Sequence, residues 1–312
     1  MTVQKKDLLT LLDSSADEII GMIKLAKELK EERYTIKNSI FSQKTGVLIF
    51  EKPSLRTRIT FETAINELGG HAINLESQMV GMGKRECVED VARNLERWVH
   101  LIVARTYSHS TVEQLARYCS IPVINALTDT FHPCQAMAFG LTLYEKLSFD
   151  KKRNVVFIGD GNNVCNSIMA LCSKLGFNFT VVCPKGYEPD PVIQKRCQEE
   201  FKKSGGSLTL TNQMSPSIET ADVLYTDVWT SMGQESESEK RKKDFSGFQV
   251  NMDTLSRAQP DILVTHCLPA HRGEEITSDV LDSDHSIAFD EAENRLHAQK
   301  AIIVNLLSFN NG

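Results

Sequence analysis

A chain of 312 residues is long enough for about two domains, and its shares of hydrophobic residues (41%) and charged residues (24%) are ordinary for packed globular cores. A net charge of −6 argues against a nucleic-acid surface or a basic membrane face, and no apolar run approaches the length of a transmembrane helix. The eight cysteines (87, 119, 134, 165, 172, 183, 197 and 267) form no Cys-x-x-Cys pair, and several sit inside apolar runs. That pattern predicts free thiols in a reducing cytoplasm, and Met1 to Leu12 carries no secretory cleavage signature.

The first half alternates helices with short apolar runs. Periodicity predicts helices over residues 15–30, 55–68, 88–99, 111–118 and 134–147, and strands over 46–50, 71–75, 101–104 and 122–126. A polar stretch, Ser148-Phe149-Asp150-Lys151-Lys152-Arg153, reads as the domain junction. A second alternating series follows, with strands at 154–158, 177–183, 207–210, 223–226 and 262–265 and helices at 163–175 and 191–203. The Glu/Ser/Lys-rich stretch from Ser231 to Asp244 reads as a loop, and a last helix at 291–307 is long enough to return to the first domain. The expected fold class is therefore α/β, with two open, doubly wound domains built on largely parallel sheets. The boundaries read as 1–147, 148–290 and 291–312. Such sheets gather ligands at the carboxyl ends of their strands, and a cleft between two such domains suits the joining of two small molecules.

Chemistry concentrates at those strand ends. Ser54-Leu55-Arg56-Thr57-Arg58 packs two guanidinium groups and two hydroxyls at a helix start, where Ser54 is a candidate cap and the open backbone N–H groups suit a phosphate. Arg105 and His132-Pro133-Cys134-Gln135 end or follow strands of the same domain and suit a carbonyl oxygen and an amide beside that anion. Gly159-Asp160-Gly161-Asn162-Asn163-Val164 has the first two glycines of a dinucleotide fingerprint. It lacks the third glycine and the acidic residue at the end of the next strand, so Asn163 reads better as a contact for a small polar ligand. Asp227, four residues before Ser231-Met232-Gly233, suits an ammonium group, with the turn suiting a carboxylate. His266-Cys267-Leu268-Pro269-Ala270-His271 invites zinc, yet no fourth ligand has suitable spacing, and adjacent His266 and Cys267 chelate one ion poorly.

With these motifs in this order, the chain resembles the aspartate/ornithine carbamoyltransferase family over essentially its whole length. Ser54–Arg58 matches the family's Ser-x-Arg-Thr-Arg carbamoyl-phosphate signature, and His132–Gln135 matches its carbamoyl-binding motif. By the same resemblance Ser54, Leu55, Arg56, Thr57, Arg58, Arg105, His132, Gln135, Cys267, Leu268 and Arg295 bind carbamoyl phosphate. Asn163, Asp227, Ser231 and Met232 bind the amino acid, with Arg56, His132, Asp227 and Cys267 as catalytic groups. The Asp227–Gly233 stretch and His266-Cys267-Leu268-Pro269 are of the ornithine type, which implies transfer to the side-chain amine of L-ornithine, giving L-citrulline and phosphate. The resemblance also implies ordered binding, no metal or organic cofactor, and a homotrimer or multiple of trimers with sites between neighbouring subunits. Two departures stand out. The family often has a glutamine or histidine near Gly81, reaching in from the next subunit, where Gln78 and Lys84 are the possible substitutes here. The usual Asn-Gly-Leu is Asn125-Ala126-Leu127. A carbamoyltransferase for another amine and a non-catalytic binding relative are the alternatives that a substrate panel separates.

Overall fold

In the computed structural model the described residues are 7–33, 40–76, 81–83, 85–231 and 233–309. They divide into two compact units. One comprises the chain up to Leu141 together with the stretch from Glu293 onward, and the other is Thr142–Ala292.

The first unit opens with α1 (Ala16–Glu31), started by a capping box in which Ser15 and Glu18 satisfy each other's backbone N–H groups. Four strands follow, each leading into a helix or preceded by one: β1 (Thr45–Phe50), α2 (Leu55–Glu67), β2 (His71–Glu76), α3 (Val88–Trp98), β3 (Leu101–Arg105), α4 (His109–Tyr118) and β4 (Val123–Leu127). They pair in parallel in the order β2-β1-β3-β4. Leu101 to Arg105 is buried at every position, as a strand with helices on both faces must be. On one face Val47, Ile49, Ile102 and Ala104 pack with Val91, Leu95, Val112 and Leu115. Helix α5 (Pro133–Leu147) contains the boundary between the units.

The second unit has five parallel strands, β5 (Asn154–Ile158), β6 (Asn178–Val182), β7 (Ser207–Thr211), β8 (Val223–Thr226) and β9 (Leu263–His266), in the order β7-β6-β5-β8-β9. The intervening helices are α6 (Asn163–Leu175), α7 (Pro191–Ser204) and the short α8 (Ser215–Ile218). The predicted α/β class and parallel sheets hold, and most strands fall within a residue of their expected bounds.

The Ser231–Asp244 stretch differs from its expected loop. It contains a 3-10 turn, Glu235–Glu237, and a helix, α9 (Ser238–Asp244). Composition hid this helix, because its buried side chain is a charged one, Arg241. Short helices α10 (Met252–Leu255) and α11 (Ser278–Leu281) flank β9 in the chain, and α12 (Ala288–Phe309) is the long last helix. Its residues from Glu293 on belong with the first unit, where Lys300 Nζ meets Glu67 Oε2 at 2.9 Å and Lys30 Nζ donates to Asn294 Oδ1 at 2.8 Å.

Candidate active site

In the first unit the carboxyl ends of β1, β3 and β4 deliver the Ser54–Arg58 stretch, Arg105 and His132. Ser54 stands at the N-cap of α2, but its hydroxyl accepts nothing from the helix, contrary to the capping expectation. Ser54 stands at φ −158° and ψ 114°, in extended backbone, whereas Ser15, at φ −77° and ψ 162°, does cap its helix. Leu55 is 69% exposed.

Thr57 is the buried junction of this site. Its Oγ1 accepts from Arg295 Nη2 at 3.0 Å and, more weakly, from Arg105 Nη1 at 3.4 Å. Arg295 Nη1 also donates to Gln135 Oε1. Residues from α2, β3, α5 and α12 thus converge, with both arginines and Gln135 almost fully buried. His132 is buried among this positive charge. Burial, then Arg295, Arg105 and Arg56, hold its imidazole well below the usual histidine pKa, so it is neutral at pH 7. Cys134 beside it is inert: burial pushes its thiol up to about 12. Arg58 does not join the group. It is half exposed and its Nε donates to Glu62 Oε1 at 3.0 Å, one helical turn along α2.

In the second unit the ends of β5, β8 and β9 bring together Asn162, Asp227 and Cys267. Asp227 is buried; its Oδ1 accepts from the Cys267 thiol at 2.8 Å and its Oδ2 from Asn162 Nδ2 at 2.7 Å. Asn162 also caps α6, accepting from the N–H groups of Val164 and Cys165 at 3.0 and 3.1 Å. Sequence reasoning singled out Asn163, the first helical residue, and missed Asn162. The available signal was an asparagine directly before an apolar helix, the pattern of an N-cap. The second glycine of the fingerprint-like turn serves packing within the chain: a Cβ at Gly161 would run into the backbone of Glu188 and Pro189.

Asp227 is followed by a turn in which Ser231 N–H donates to Gln234 Oε1 at 3.1 Å and Gly233, at φ +96°, donates to Glu235. Met232, Gln78 and Lys84 lie outside the described residues. Leu268, non-glycine yet at φ +55°, follows Cys267; its N–H donates to His266 Nδ1 at 2.8 Å. That bond assigns the acceptor role to Nδ1, so Nε2 carries the proton and donates to Glu275 Oε1 at 3.0 Å. Asp227, His266 and Cys267 lie close enough to share an ion, but both ring nitrogens of His266 are thereby committed, and a histidine ligand needs a free lone pair. His271, half exposed, lies instead with Glu274 and Glu275.

The first unit therefore offers a buried cationic pocket with a neutral imidazole, suited to a phosphorylated carbonyl compound. The second offers a carboxylate and a thiol suited to an amine. Comparison with known proteins matches a similar division, except that the last helix falls with the second domain model. The model of the aspartate/ornithine carbamoyltransferase carbamoyl-P binding domain matches residues 6–145, and that of the Asp/Orn binding domain matches residues 151–306. A relative from Pyrococcus abyssi named ornithine carbamoyltransferase is 48% identical, over 98% of this chain and 97% of its own length. One from Pyrococcus furiosus, named as an anabolic ornithine carbamoyltransferase, is 48% identical over 96% of this chain and 95% of its own. Among solved structures, ornithine carbamoyltransferase from Pyrococcus furiosus superimposes with a TM-score of 0.93 at 48% identity, covering 96% of each chain. That from Thermus thermophilus gives a TM-score of 0.88 at 44% identity, covering 98% of this chain and 100% of its own. With both domain models matched in order and relatives of this identity aligned nearly end to end, the chain belongs to the aspartate/ornithine carbamoyltransferase family.

Proposed function

We propose that the protein transfers the carbamoyl group of carbamoyl phosphate to the side-chain amine of L-ornithine, forming L-citrulline and phosphate. The observation that carries this reading is the Asp227–Cys267 pair at the ends of β8 and β9, a buried carboxylate already holding a hydrogen-bond donor at 2.8 Å. An ammonium group is the natural ligand for such a carboxylate.

The side-chain amine of free ornithine resembles that of lysine, with a pKa of about 10.4, and attacks only when neutral. Asp227 and the Cys267 sulfur hold and orient it, and exclusion of water favours the uncharged form. Ser231 and Met232, with Asn163, receive the amino-acid end. In the first unit the α2 N-terminus, Arg56 and Arg105 hold the phosphate, while Thr57 and Gln135 fix Arg295 against it. Neutral His132 and Arg56 polarise the carbamoyl oxygen, and a neutral imidazole serves as donor without adding charge. The amine nitrogen forms its bond to the carbamoyl carbon as the carbon–oxygen bond to phosphate breaks. The electron pair leaves on the phosphate oxygen, and the departing phosphate takes the amine's proton. Every step uses groups of the chain and its substrates.

The same reading carries a homotrimer or multiple of trimers, supported by Leu55 and Ile59, exposed one helical turn apart on α2 beside the anion site. Light scattering of the purified protein tests it. A cytoplasmic setting is supported by the eight cysteines, none of which forms a disulfide among the described residues. The decisive experiment supplies carbamoyl phosphate with ornithine, putrescine, N-acetylornithine or aspartate in parallel. Citrulline formed from ornithine at a rate far above the other amines supports the reading, and preference for any other amine overturns it.

A further inference from the structure

Arg241 lies in the stretch whose composition suggested a loop, and nothing in the proposed chemistry uses it. Its side chain is 7% exposed. Nη1 donates to Asp160 Oδ2 at 2.9 Å and to the Trp229 carbonyl at 3.0 Å, and Nε donates to Glu237 Oε2 at 3.0 Å. The guanidinium also lies 5.0 Å from the centroid of the Tyr187 ring. A planar fork engaged on all these sides has one geometry, and a lysine could not reproduce it.

What this fork holds is the frame around Asp227. Trp229 is two residues beyond Asp227, and its ring stacks on Phe245 at 5.8 Å, directly after α9. Asp160 is two residues before Asn162, whose amide donates to Asp227 Oδ2. Between them Gly161 is pressed on the Glu188–Pro189 backbone, and its N–H donates to the Tyr187 carbonyl at 2.8 Å. Displacing Asp160 therefore displaces Asn162. Arg241 reaches Asp227 from both sides, through the chain after β8 and through the turn after β5. It also sets one positive charge between Asp160 and Glu237, partly offsetting theirs next to Asp227.

We infer that Arg241 is a positioning residue for the amine substrate, acting through Trp229 and Asp160 to hold Asp227 and Ser231 in the geometry that receives ornithine. This rests on the ornithine reading above.

The test is steady-state kinetics with each substrate varied, for wild type, Arg241→Met, Arg241→Lys and Asp160→Asn, with thermal unfolding measured alongside. Arg241→Met should raise the ornithine KM about tenfold or more, the scale on which loss of a charge-assisted hydrogen bond acts. Its carbamoyl-phosphate KM should stay within about twofold of wild type, because that pocket is built by other elements. Arg241→Lys should fall between, since one ammonium meets Asp160 but not Trp229 as well, and Asp160→Asn should shift the ornithine KM in the same direction. An ornithine KM within about twofold of wild type in folded Arg241→Met refutes the inference. If Arg241→Met does not fold, Arg241→Lys decides by the same criterion. Equal rises in both KM values also refute it, by marking a general structural role. Failure of the wild type to form citrulline defeats the functional reading itself and the inference with it.

Discussion

Replacing Thr57 by valine removes one oxygen from the centre of the proposed carbamoyl-phosphate pocket while nearly keeping the side chain's shape. The buried Oγ1 accepts from Arg295 Nη2 at 3.0 Å and from Arg105 Nη1 at 3.4 Å. The first distance is that of a sound charge-assisted bond, and the second lies beyond the usual range and counts for little. One hydrogen bond to a charged group is worth about 1.5–3 kcal/mol, which corresponds to roughly 10–100-fold in binding. Arg295 keeps Gln135 and Arg105 keeps its strand-end position, so the lower half of that range is expected: about 10–30-fold in kcat/KM for carbamoyl phosphate. The assay is initial-rate citrulline formation with carbamoyl phosphate varied at saturating ornithine, accompanied by calorimetric titration of inorganic phosphate. Phosphate affinity should weaken in parallel, while the ornithine KM stays within about twofold, because Asp227 and Cys267 belong to the second unit. A kcat/KM for carbamoyl phosphate within about threefold of wild type would refute Thr57 as the point on which the two arginines are organised.

Arg58→Ala should lower activity by less than about threefold, because that guanidinium is half exposed and paired with Glu62; the same rate assay applied beside Arg56→Ala checks the contrast. Asp227→Asn should cost about 30-fold or more in kcat/KM for ornithine, since it removes the charge proposed to meet the ammonium; near-normal ornithine kinetics would remove Asp227 from the mechanism. His297 is expected to shape acid stability. Burial, reinforced by Lys30 and Lys300, lowers its pKa to about 4, against about 6.5 unfolded. Between those values the unfolded chain binds the extra proton, so stability is full above pH 6.5 and falls as pH drops. About 2 kcal/mol should be lost by pH 5. In urea unfolding at pH 7 and pH 5, His297→Leu should show a smaller loss than wild type, and an identical loss would exclude this histidine as a source.

Much of the candidate site was legible because its residues sit where local pattern and strand ends coincide. Arg105 ends an uninterrupted buried strand, and His132-Pro133 starts a helix after another. The partition of their roles was less legible. Arg56 and Arg58 are indistinguishable as letters, and a helical turn decides between them by giving Arg58 a carboxylate at Glu62. Asn162 and Asn163 are likewise adjacent asparagines, and only the N-cap geometry turns Asn162 towards Asp227. Arg241 was hidden because a charged residue in a charged stretch reads as solvated, although Glu237 four residues earlier was a signal for a helical turn.

Alternating apolar runs and helix periods, set by neighbours within a turn or two, determined on their own the two α/β units and the strand ends that carry the chemistry. Tertiary structure alone decided the strand orders and the pairings that complete each pocket. Thr57 meets Arg295 across 238 positions and Asp227 meets Cys267 across 40. Such contacts follow from burial of distant faces against one another, which no local periodicity records. Arg241 on Asp160, 81 positions apart, is of the same kind: a buried charge whose partner exists only once the chain has folded.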